Sequence, residues 1–157
     1  MPTIKFRNEA VQYLYILTSK ISADSIAKIR KVKAVFLKLQ PTVEGYERKW
    51  EELAAQAETS KMTLDGWKQT NQLEKHKAEV EKITAAIQEN TEAIKALKST
   101  EVEIELNGDD CKFLLEEATT LLGSTFVGRD GQPVKGIQGK REIEIFDEVY
   151  TTLEGVQ

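Results

Sequence analysis

One cysteine, one histidine and three prolines are all that this 157-residue chain holds of the residue types that most often staple, ligate or break a protein. A lone thiol, Cys111, excludes an internal disulfide and fits a reducing compartment. No run of 18 apolar residues occurs, so no membrane-spanning helix is expected. The start, Met1 to Arg7, lacks the apolar core of a secretory signal, which predicts a soluble protein that is intracellular at synthesis. The chain also lacks HExxH, GxSxG and CxxC, and no Gly-Lys-Ser or Gly-Lys-Thr follows its glycines. No catalytic residue, cofactor or metal ligand can therefore be assigned, and an enzyme is the weakest of the function classes. The net charge of −4 argues against general nucleic-acid binding, but the charge is uneven: residues 1–40 hold eight basic groups against two acidic ones.

Two heptad stripes occupy the middle of the chain. The first is Ile29, Val32, Phe36, Leu39, Val43, Tyr46, Trp50, Leu53 and Ala57; the second is Gln69, Leu73, His76, Val80, Ile83, Ile87, Asn90, Ile94 and Leu97. Spacings of three and four mark the a/d seam of a coiled coil. The reading is one domain over 1–157, with a helical hairpin at 25–98 and an α/β base from 1–24 and 99–157. Pro41 falls at heptad position f, opposite the seam, where a proline bends a helix without disturbing its buried stripe. One kinked helix is favoured over two helices broken near Gln40. Residues 59–66 are expected to form the reversal, with Ser60 or Thr63 capping the returning helix. Closure there opposes positions whose numbers sum to about 126, such as Tyr46 with Val80 and Val43 with Ile83.

Around the hairpin the period changes. Thr3–Phe6 and Glu101–Leu106 alternate as strands, the second with Val102, Ile104 and Leu106 inward. Asn8 is expected to cap a helix burying Val11, Leu14 and Tyr15, with Ser22 or Asp24 capping the next. Asn107-Gly108 reads as a turn, after which Asp109 or Asp110 caps a helix running to Leu122. That helix points Phe113, Leu114, Ala118 and Leu121 inward and ends at Gly123. A hairpin with its tip at Asp130-Gly131 is expected within the glycine-rich 124–140, and Arg141–Leu153 is read mostly as helix. The fold class is α+β, mostly α.

Few side chains invite chemistry. His76 sits at a seam position, where hydrogen bonding across the seam or stacking on Trp50 accounts for it. Asn90, also on the seam, suits register control. Asp109 with Asp110, and the row Glu101, Glu103 and Glu105, read as a cap and a solvent face. Lys28, Arg30, Lys31, Lys33 and Lys38 form the candidate partner-binding set, five cations with no interspersed anion. Their heptad phases scatter them around the helix, which suits contact with an acidic protein surface, including the acidic remainder of this chain, better than tracking phosphates.

Ile4-Lys5-Phe6, the segment Lys33 to Tyr46, and Thr100-Glu-Val-Glu-Ile-Glu-Leu106 follow one another in an order that resembles small accessory and assembly proteins of tailed bacteriophages. The resemblance implies pairing of the first strand with 101–106; because a two-stranded sheet is marginal alone, 125–127 or 133–137 are expected to add to it or a helix to cover it. It implies no active site. Function is accordingly expected to be non-catalytic, through protein–protein contacts in virion or tail assembly. One alternative is a phage inhibitor of a bacterial defence system; another is a nucleic-acid-binding accessory using the 28–38 cluster. The expected partner is a phage structural protein or a host protein, in the host cytoplasm or the virion. The second stripe is incompletely apolar, which leaves room for a further helix, either 9–21 or that of another copy.

Overall fold

A computed structural model describes residues 3–123, 125–127 and 131–156. The chain is mostly helical, in the order β1 (Thr3–Arg7), α1 (Asn8–Ser19), α2 (Ile26–Gln69), α3 (Lys77–Ser99), β2 (Glu101–Glu105), α4 (Gly108–Leu122), β3 (Thr125–Val127), β4 (Pro133–Lys135) and α5 (Lys140–Glu154). It divides into two compact units, residues 1–43 with 101–157, and residues 44–100. Among the described residues no helix is long and apolar enough to cross a membrane.

The first unit is built on alternation. β1 and β2 pair antiparallel with Ile4 opposite Ile104 and Phe6 opposite Val102. Period-2 geometry sends these to one face and sets Lys5 opposite Glu103 on the other. Ile4, Phe6, Ile104 and Leu106 are buried against Val11 and Leu14 of α1, Leu114 of α4, and Ile145, Val149 and Leu153 of α5. A two-stranded sheet is marginal alone, and this helical cover supplies the missing hydrophobic partner. β3 and β4 do not extend it. They form a separate antiparallel pair, Phe126 opposite Val134, so of the two expected ways to complete the sheet, added strands or a covering helix, the helices do so. Of the expected tip, Asp130 lies outside the described residues, while Gly131 takes a left-handed φ of 78°.

Three caps differ from expectation. β1 runs directly into α1, so Arg7 takes the N-cap position and Asn8 becomes a buried first helical residue. At α4, Asn107 accepts from the Asp110 N–H and Asp110 accepts from the Asn107 N–H, a reciprocal capping box that makes Asn107 the cap. Ser25, in place of Ser22 or Asp24, accepts from the Lys28 N–H at 3.2 Å as α2 begins.

α2 continues through Pro41, whose ring is exposed. It also continues through 59–66, which corrects the expected reversal. Thr59 and Thr63 donate their hydroxyls back to the carbonyls of Ala55 and Thr59, as threonines do inside a helix, and cap nothing. The stop comes at Asn71, which has a φ of 55°. The Gln72 N–H donates to the Trp67 carbonyl at 2.8 Å and the Asn71 N–H to Lys68 at 3.3 Å, the two bonds of a Schellman motif. The turn is therefore at residues 70–76, and the pairings built on closure at 59–66 fall with it, Tyr46 with Val80 and Val43 with Ile83 included.

Candidate interaction surface

Of the five cations on α2, three are engaged by α4. Lys28 Nζ lies 3.0 Å from a Glu117 carboxylate oxygen, Lys38 Nζ lies 2.5 Å from Asp110, and Lys31 Nζ sits 5.6 Å from the centre of the Phe113 ring. Positions 28, 31 and 38 share one face of α2, while 110, 113 and 117 share one face of α4. Both ion pairs are partly exposed, so each contributes at most about 1 kcal/mol, and their use is to set how the two helices meet. Arg30 and Lys33 are exposed.

The core-facing side of α2 is Val35, Leu39 and Val43, with Val32 packed at its edge. Val35 lay outside the expected stripe and is 1% exposed, whereas Ile29, expected on the seam, is 52% exposed. The buried face is thus turned from a strict heptad toward an i, i+4, i+8 row. The turn leaves a second apolar face. Ile26 is 69% exposed and Leu37 60%, and with Ile29 they form a ridge on which Arg30 and Lys33 also lie. Sequence reading missed Ile26 and Leu37 because neither belongs to the stripe; the available signal was their position opposite Val35 and Leu39 on a helical wheel.

The residues singled out for chemistry are placed otherwise. His76 stacks on Trp67, not on Trp50. Cys111 is buried, and burial, with Asp110 adding and Lys38 opposing, pushes its thiol pKa up. Asp109 and the glutamates of β2 are exposed, and Asn90 is half-buried. Among the described residues no group of three or more His, Cys, Asp or Glu side chains is placed to hold a metal. A crevice lined by Leu14, Leu17, Leu114, Phe146, Val149 and Tyr150 has a volume of about 10 Å³, room for about one water and not for a substrate.

An ion network ties the start of the chain to α5. Arg7 forks onto both oxygens of Glu148, with its Nε at 2.8 Å, and Glu9 accepts from Arg141 and lies 3.8 Å from Arg7. The hydrogen bond to Glu148 raises the Arg7 pKa further. Burial, with Glu142 adding, pushes the Tyr13 hydroxyl up to about 12.

In the 44–100 unit no residue of α3 is fully buried, and among residues 44–69 Tyr46 alone is. Val80, Ile83, Ile87, Asn90, Ile94 and Leu97 are half-buried, as are Leu53, Ala57, Ser60, Leu64 and Trp67, which carry the first stripe on past its expected end. Lys49, Glu52, Leu53 and Gln56 of α2 line a shallow groove of about 370 Å³ together with Ala93 and Leu97 of α3. Comparison with protein-family models, with curated proteins and with solved structures returns no match.

Proposed function

We propose that this is a non-catalytic phage protein that works through protein–protein contact in virion or tail assembly. One observation carries the reading: the ridge of Ile26, Ile29 and Leu37 with Arg30 and Lys33 set among them. Ile26 and Ile29 are one turn apart and Leu37 lies two turns further along the same side. Exposed apolar side chains aligned on one side of a helix suit a contact surface. The two cations select a partner with an acidic rim, since opposite charges at a rim steer encounter and exclude wrong partners. A nucleic-acid reading has less support, because Lys28, Lys31 and Lys38 are already engaged by α4 and two cations make too small a phosphate footprint.

The same proposal holds α2 beyond residue 44 and α3 as an antiparallel zipper with a/d positions summing to about 147. Leu53 then faces Ile94, Ala57 faces Asn90, Ser60 faces Ile87 and Leu64 faces Ile83. The groove shared by Leu53, Ala93 and Leu97 supports this register.

The test is mass spectrometry of purified virions of a phage carrying the gene. The protein is expected at fixed stoichiometry, and Leu37→Glu, folded by circular dichroism, is expected to leave the particles. Virions that lack the protein and assemble normally without it overturn the reading. Protection of phage only in hosts carrying a defence system would move it to inhibition.

A further inference from the structure

The proposed zipper has a property that its register alone does not require. Read along α2, its seam runs Trp50, Leu53, Ala57, Ser60, Leu64, Trp67: large, large, small, small, large, large. It mirrors itself between Ala57 and Ser60. On α3 the corresponding mirror point lies between Ile87 and Asn90, with Ile83 matched by Ile94 and Val80 by Leu97. Both mirror points sit at the same height, because Ala57 faces Asn90 and Ser60 faces Ile87.

Such a seam is left open on one side. Trp50 is 40% exposed, the other seam positions from Leu53 to Trp67 are half-buried, and α3 contains no buried residue. A two-helix seam left this exposed is covered further when a second pair packs on it, and a four-helix bundle is the common form of that packing. We infer that the 44–100 helix pair self-associates, two copies packing antiparallel, face to face, with Trp50 of one beside Trp67 of the other.

Three observations select a second copy over another occupant. A palindromic seam fits itself after a two-fold rotation, so large layers meet large layers and the small Ala57 and Ser60 layers meet at the centre, the isologous geometry of a C2 dimer. Charge has the matching polarity. Residues 44–58 with 89–100 hold seven acidic and four basic groups, while 59–88 hold four acidic and five basic. Antiparallel packing brings the negative end of each copy against the positive end of the other, and parallel packing opposes like ends. The area is compatible with a concentration-dependent dimer: the mirrored seam is about 26 Å long and two helices wide and offers about 500 Å² per copy, against the roughly 800 Å² that a standard interface takes from each partner.

This inference rests on the zipper register, and the experiment separates the two. Sedimentation of the full chain is expected to show a concentration-dependent shift from 17.7 kDa to twice that mass. A monomer at every concentration overturns the inference. Leu64→Glu, or Ala57→Asp if the first loses helix, is expected to abolish the dimer with helix content kept, and Leu37→Glu to leave it intact. A folded seam variant that still dimerises overturns the inference. Ala57→Cys and Ser60→Cys chains, mixed and treated with a short bismaleimide, are expected to crosslink to each other several-fold more than either does to itself; preference for self-crosslinking overturns the antiparallel sense. Leu53→Cys/Ile94→Cys reads the register within one molecule, and failure there removes the zipper itself.

Discussion

Trp67 and His76 lie ring over ring, 4.3 Å between centroids and 12° from coplanar, on either side of the turn that ends α2 and begins α3. Eight residues lie between them in sequence, the left-handed Asn71 among them. The stack holds the last turn of one helix to the cap residue of the next. Trp67→Ala is expected to destabilise the 44–100 unit by about 2–3 kcal/mol and His76→Ala by about 1 kcal/mol. His76→Phe retains most of the stability. Thermal unfolding by circular dichroism reads all three.

Asn71 is the backbone counterpart of that stack. A β-branched residue is strained in the left-handed region, so Asn71→Val is expected to cost about 1–2 kcal/mol, while Asn71→Gly is neutral or stabilising by a few tenths. Equal stability of the two variants in denaturant titration would contradict the C-cap assignment.

Leu37 and Leu39 stand two residues apart on opposite faces of α2, one 60% exposed and the other fully buried. Leu39→Ala removes a core side chain and is expected to cost about 2–5 kcal/mol. Leu37→Ala is expected within about 0.5 kcal/mol of the parent, and so isolates partner binding from folding. A comparable loss at both positions would mean that the ridge is part of the core.

Asp110 serves two contacts at once, the reciprocal cap with Asn107 and the ion pair with Lys38. Asp110→Ala is expected to cost about 1.5–2 kcal/mol, more than Lys38→Ala at under 1, with Asn107→Ala near 1. Urea unfolding followed by far-ultraviolet circular dichroism ranks them.

Tyr13 supplies the pH dependence. Its folded pKa, about 12, lies above the ordinary tyrosine value of about 10, because burial disfavours the phenolate. A raised folded pKa contributes stability that is complete below the unfolded value and lost as pH rises through the folded one. The parent is therefore expected to lose stability relative to Tyr13→Phe between about pH 10 and 12. Tyrosinate absorbance, compared between the two proteins, locates the titration.

Periodicity along the chain determined the identity of most elements. The unbroken alternation at Glu101–Leu106 is β2, the three-and-four spacing from Val80 to Leu97 is the half-buried face of α3, and Phe113, Leu114, Ala118 and Leu121 are the buried face of α4. These are local properties, because one side of a strand or helix either repeats its apolar residues or does not. Tertiary structure decided what periodicity leaves open. It left α2 to run through the reversal expected at 59–66 and to end at Asn71, where its last carbonyls find partners. It turned α2 so that Val35 went in and Ile29 stayed out, and it assigned Lys28, Lys31 and Lys38 to α4 while leaving Arg30 and Lys33 outward. The turn of α2 and the pairing of its lysines depend on neighbours distant in sequence, because burial is a property of the pair of surfaces that meet. The stop at Asn71 is instead a local cap that periodicity does not reveal.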